Sequence, residues 1–84
     1  MFQQFFESLD GAFAPNTIRA YRSDLQHYAD WCQNNQYELF SGNANQFTEY
    51  VLAMGETLKT ATIRRRVASL SSVFKLMKQP DPTN

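Results

Sequence analysis

Three consecutive arginines, Arg64, Arg65 and Arg66, stand in the run Thr60-Ala61-Thr62-Ile63-Arg64-Arg65-Arg66-Val67, where a helical apolar pattern begins. A helix N-terminus carries partial positive charge, so cations there are unfavourable by about 0.3–1 kcal/mol each. The same placement suits an anion such as phosphate, because guanidinium groups and free backbone N–H groups then converge on it. The hydroxyls of Thr60 and Thr62 add donors, and Lys59 adds charge just ahead of them. A second stretch repeats the arrangement: Thr17, Arg19, Arg22 and Ser23 crowd into the first turns of another helical pattern. Two basic, hydroxyl-bearing helix starts form a paired clamp for a nucleic-acid backbone or groove. The competing reading is a solvated face, in which these arginines pair with Asp24, Glu49 or Glu56 at little energetic value.

Other chemistries lack their residues. Cys32 is the only cysteine, so no internal disulfide or thiolate metal cluster can form, and the usage fits a reducing, cytoplasmic setting. His27 and Cys32 lie on different faces of one helix and cannot share a metal ion. Ser69, Ser71 and Ser72 have no base nearby in sequence, and the acidic residues are scattered singly. Gly11, Gly42 and Gly55 are isolated, which excludes a glycine-rich phosphate loop. Neither an enzyme activity nor a cofactor or metal site is expected of these residues. No stretch approaches the ~20 apolar residues of a membrane span. The start, MFQQFFESLD, lacks the basic region and long apolar run of a signal peptide.

Formal net charge is zero, with eight basic and eight acidic residues, yet the chain is polarised. From Lys59 to Lys78 there are six positive charges and no negative one. That distribution outweighs the sum and favours a nucleic-acid partner. The alternative is a helical protein–protein interaction module using the aromatic first segment and Trp31.

The elements that position these residues are helical throughout. With 84 residues, of which 43% are hydrophobic, the chain makes one small domain. Phe2, Phe5, Phe6 and Leu9 mark a first helix that Gly11 ends. Pro15 suits the first turn of a second helix running from about Asn16 to Asn34. Its stripe is Ile18, Tyr21, Leu25, Tyr28 and Cys32, with Trp31 at the edge. Asn43 or Asn45 can cap a third helix carrying Phe47, Tyr50, Val51 and Met54 and stopping near Gly55. Thr60 or Thr62 can cap a fourth, whose stripe is Ile63, Val67, Leu70, Phe74 and Met77, and which Pro80 and Pro82 terminate. Each stripe must be covered by another, so the expected fold is an all-α, small orthogonal four-helix bundle. Phe2, Phe5, Phe6, Tyr21, Tyr28, Phe47, Tyr50 and Phe74 are expected in or against its core.

The order of residues also resembles a known family. Asn16, Thr17, Tyr21, Asp24, Leu25, Tyr28, Trp31 and Cys32 follow the pattern N-T-x-x-x-Y-x-x-D-L-x-x-F-x-x-W-C, with tyrosine in the aromatic slot. Thr62, Ile63, Arg66 and Leu70 follow T-I-x-x-R-x-x-x-L, and Asp81, Pro82 and Thr83 the turn after it. These are the patterns of the N-terminal core-binding domain of tyrosine recombinases, the phage integrases. The resemblance implies a SAM-like bundle that forms half of a C-shaped clamp on duplex DNA, its second and fourth helices facing the major groove.

Carried over, the DNA-facing positions are Thr17, Arg19, Ala20 and Ser23, with Ala61, Thr62, Arg64 and Arg65. Charge and placement add Arg22, Lys59, Thr60 and Arg66 as phosphate contacts, although position 66 could instead pack along the bundle. The implied partners are double-stranded DNA, a catalytic domain of the same parent chain, and other recombinase protomers in a synaptic complex. The setting is the cytoplasm of a bacterium, with the gene bacterial or phage-borne. The family's catalytic residues belong to a separate domain, so Tyr21, Tyr28, Tyr37 and Tyr50 are not its nucleophile. Residues 1–79 are expected to form the core-binding domain and 80–84 the start of an interdomain linker.

Overall fold

A computed structural model describes residues 2–79. Four helices follow in order: α1 (Gln3–Ser8), α2 (Pro15–Asn34), α3 (Ala44–Gly55) and α4 (Thr60–Leu76). Among the described residues there is no strand, only an isolated bridge between Asp10 and Phe13. The fold is all-α, as the periodicity requires. The linker segment and the Asp81-Pro82-Thr83 turn lie outside the described residues, as do Pro80 and Pro82.

α4 is the central element, packed on both α2 and α3. Leu25, Tyr50, Leu70, Val73 and Phe74 are fully excluded from solvent, and Phe6, Tyr28 and Cys32 nearly so. Each large apolar side chain so buried contributes about 1.5–3 kcal/mol. Tyr28 organises the aromatic part: its ring lies 4.8 Å from Tyr50, 5.5 Å from Phe47 and 6.1 Å from Phe74, centroid to centroid. Trp31 stacks on it at 6.2 Å and closes the margin of the core. Phe2, Phe5 and Tyr21 pack at that margin and are only half-buried.

The buried face of α4 contains the expected stripe and is wider than it. Val73 and Ser69 lie inside, whereas Ile63, Val67 and Met77 are half-buried. The cause is that α4 is covered from two sides, by α2 and by α3, so its buried arc is wider than a single stripe.

The helix ends follow local chemistry. Pro15 occupies the first turn of α2. Asn43, rather than Asn45, caps α3, its side chain accepting from the Asn45 N–H at 2.9 Å. Neither Thr60 nor Thr62 caps α4. The cap residue is Lys59, extended at φ −73 and ψ 151, and Thr60 is already the first helical residue. The Lys59 carbonyl accepts the first intrahelical bond, from Ile63, so no hydroxyl is in the capping position.

α4 also stops before Pro80. Lys78 adopts φ 57, and the Gln79 N–H returns to the Phe74 carbonyl at 2.9 Å. α2 ends the same way, with Gln36 at φ 61 and the Tyr37 N–H on the Cys32 carbonyl at 2.8 Å. Both are Schellman closures built on a non-glycine residue. The loop that follows α2 is latched by Gln46, which is 4% exposed. Its amide nitrogen donates to the Glu38 carbonyl at 2.9 Å and to the Tyr28 hydroxyl at 3.2 Å, while its oxygen accepts from Ser41.

Candidate nucleic-acid interface

Two helix starts meet at one carboxylate. Asp24 of α2 is 3% exposed and sits in the seam between α2 and α4. Arg65 of α4 grips it with both terminal nitrogens: Nη1 donates to Oδ2 at 3.0 Å and Nη2 to Oδ1 at 3.2 Å. Such a two-pronged pair fixes orientation as well as distance. Arg66 approaches from beside it, Nε lying 3.7 Å from Oδ1, an ion pair but too long for a hydrogen bond.

The neighbouring turns of both helices share this face. On α2, Ala20 and Thr17 lie about one and two turns before Asp24; on α4, Ala61 and Thr62 lie about one turn before Arg65. Thr17, Ala20 and Thr62 are half-buried along the seam, and Thr60 and Ala61 stand exposed at its mouth. No side chain caps either helix start; in α2, Pro15 has no N–H and the Thr17 N–H returns to the Ala14 carbonyl at 3.0 Å.

The remaining cations are distributed around this seam. Arg19, Lys59 and Arg64 are exposed and make no ion pair among the described residues. Arg64 is rotated about 100° from Arg65 around α4 and is exposed. Arg22 turns toward α1, its guanidinium 5.4 Å from the centre of the Phe6 ring, a cation–π contact. Ser23 and Arg19 line a shallow groove with Gln26, His27 and Asp30 along the outer face of α2. The structure brings Arg65 and Arg66 together on Asp24, and helical spacing puts Thr17, Ala20, Ala61 and Thr62 on the turns that precede them. Arg22 lines the same groove as Arg19 and Ser23.

A polar chain runs from the seam through buried Tyr50 to exposed His27. The Arg66 guanidinium lies beside the Tyr50 hydroxyl, which is bound in turn to Nδ1 of His27 at 2.6 Å. Burial pushes the Tyr50 phenol up to about 12, against the opposing pull of Arg66. Burial, and then the charge of Arg66, lower the pKa of His27. The hydrogen bond to Asp24 raises that of Arg65, whose charge is permanent in any case.

The burial of Asp24 is not evident from the sequence, where it stands as one of three surface partners and as a position of the family pattern. The other two take no arginine: Glu49 accepts from the Tyr37 hydroxyl, and Glu56 makes no ion pair among the described residues. A signal for Asp24 was present, since Tyr21, Asp24, Leu25 and Tyr28 are spaced as one helix face. No group of three His, Cys, Asp or Glu side chains among the described residues is placed to hold a metal ion. No helix among them is long and apolar enough to cross a membrane.

The profile of the phage integrase N-terminal SAM-like domain matches residues 2–79, and the chain belongs to that family. It is similar to an integrase/recombinase xerD homolog of Selenomonas ruminantium, with 29% identity over 63 residues. That match covers 75% of this chain and 18% of the relative, so the chain spans under a fifth of the relative's length. No solved structure matches it.

Proposed function

We propose that the chain binds duplex DNA through the N-terminal halves of α2 and α4, as the DNA-binding domain of a site-specific tyrosine recombinase. The observation that carries this reading is the Asp24–Arg65 clasp, which sets two uncapped, basic helix starts side by side. The backbone N–H groups, Thr17, Thr60 and Thr62 hydroxyls and the Arg65 guanidinium then serve as phosphate and groove donors. Arg19, Arg22, Lys59 and Arg64 widen the positive surface. Ala20, Ser23 and Ala61 are small and let a groove wall approach. Arg66 has its guanidinium turned into the seam and acts there as a structural partner. The recombination chemistry resides in a catalytic domain of the parent chain, which acts with other protomers in the cytoplasm.

The test is an NMR titration of the labelled chain with a generic duplex of about 20 bp at two salt concentrations. Five cations lie outside the seam interior: Arg19, Arg22, Lys59, Arg64 and Arg65. If they neutralise five phosphates, log K falls with log salt at a slope of about −4.5. Shifts are expected at Thr17 to Ser23 and Lys59 to Arg65, fading as salt rises. Shifts confined to α1 and the surroundings of Trp31 would instead assign a protein-interaction role.

A further inference from the structure

Two guanidinium groups contend for one carboxylate at the seam, and the less buried of them holds it. Arg65, with its side chain 54% exposed, takes both oxygens of Asp24. Arg66, only 20% exposed, is left at 3.7 Å. Its Nε and Nη1 are buried and make no hydrogen bond. This is the reverse of what desolvation favours, since an unpaired buried donor is costly whereas an exposed one is satisfied by water.

We propose that Asp24 is an exchangeable ligand: DNA phosphate takes Arg65 from it, and Asp24 then closes on Arg66. The proposal rests on the DNA-binding reading above and names the rearrangement within that site. The movement required is small. Oδ1 must approach the Arg66 Nε by less than about 1 Å to reach ordinary hydrogen-bond length. The exchange conserves paired charge on Arg65, which leaves one anion for another, and supplies the Arg66 Nε with the acceptor it lacks. Binding at the surface thereby tightens the α2–α4 seam beneath it. In the free domain Asp24 masks Arg65, so a weakly held anion cannot capture that arginine without displacing an internal partner. Asp24 thus acts as a positioning residue that raises the threshold for engaging Arg65, and Arg66 is the group that makes its release reversible.

The experiment follows the Nε–Hε resonances of Arg65 and Arg66 in the 15N-labelled 84-residue chain. It compares the wild type with Arg65→Ala, each with and without a 20-bp duplex as probe. Arg65→Ala removes an exposed side chain, and its far-UV circular dichroism checks that the fold is kept. In this variant Asp24 should close on Arg66 without DNA, slowing exchange of the Arg66 Hε by about tenfold, the factor a hydrogen bond to a charged group commands. The wild type should show that protection only with duplex bound. An unprotected Arg66 in folded Arg65→Ala overturns the exchange whatever DNA does. Protection there, combined with a duplex that shifts Arg19 and Arg64 but leaves Arg66 exchange unchanged, shows that DNA leaves Arg65 on Asp24 and also overturns it. A duplex that shifts no resonance overturns the DNA-binding reading and this proposal together.

Discussion

Replacing Asp24 with alanine removes the one anion shared by Arg65 and Arg66, and its cost can be worked from the burial of each partner. Breaking a buried ion pair from one side costs about 3–5 kcal/mol, most of it from the charge left behind. Arg65, half in solvent, rehydrates at a cost of about 0–1 kcal/mol. Arg66 cannot do so fully, because two of its nitrogens are buried, although a fifth of its side chain still meets water. The net expectation for Asp24→Ala is about 2–4 kcal/mol, below the full figure because of that partial access. A domain of this size has roughly 4–13 kcal/mol in total, so the loss is a large share of its stability. With a urea dependence of about 1 kcal/mol per molar, the unfolding midpoint should fall by about 2–4 M. Urea titration at neutral pH, followed by circular dichroism and Trp31 fluorescence, measures this directly. Arg65→Ala in the same assay should cost no more than about 1 kcal/mol. The double replacement Asp24→Leu with Arg66→Met should recover most of the loss, because an apolar pair has no stranded charge. An Asp24→Ala cost no larger than that of Arg65→Ala would refute the assignment of Arg66 as a buried, dependent charge. Simple additivity of separate Asp24→Leu and Arg66→Met costs in the double variant would refute it equally.

Two further predictions concern other parts of the fold. The pKa of His27, the single histidine, is lowered by burial first and by Arg66 second, so the unfolded chain, protonating near pH 6.5, binds its proton more readily than the folded one. Its contribution is therefore complete above about pH 6.5 and is lost as pH falls below it, and His27→Gln should flatten the urea midpoint between about pH 7.5 and 5.5. Gln36 closes α2 at φ 61, a conformation that costs a non-glycine residue about 1–2 kcal/mol. After the larger unfolded-state entropy of glycine is deducted, Gln36→Gly should stabilise the domain by about 0.5–1 kcal/mol, read as a higher thermal midpoint; a lower one would show that the exposed glutamine side chain matters.

How much of this was legible depends on whether a residue's partner is local. The number and type of helices follow from apolar spacing, and Pro15 and Asn43 mark two of their starts through chemistry contained within a turn. The end of α2 at Asn34 follows from its apolar spacing, whereas the end of α4, closed by left-handed Lys78, was illegible, because lysine does not signal that conformation and Pro80 marks a later stop. The α4 start was misplaced by a residue or more because Thr60 and Thr62 looked like caps, while an extended Lys59 serves with its backbone alone.

At the candidate site the positive charges were visible, and their pairing was not. Asp24 and Arg66 each occupy a polar slot within an otherwise apolar face, one on α2 and one on α4. Reading either alone gives a surface residue. Only setting the two faces against each other reveals that opposite charges meet across the seam. The same limit applies to Ser69 and Val73, whose burial depends on α4 being covered from two sides.

Cys32 makes the far end of α2 self-reporting. It is the sole thiol of the chain, 1% exposed, and burial pushes its ionisation up. The thiolate is the species that attacks an alkylating reagent, so Cys32 can react only after the Gln46 latch and the closing turn of α2 let go. Its alkylation rate relative to a small free thiol is then a clock for that one local opening, with no label or substitution needed. Asp24 lies about 12 Å up the same helix. Timing Cys32 with and without an anion engaged at Arg65 would reveal whether α2 behaves as a single stiff rod or as two halves that loosen independently.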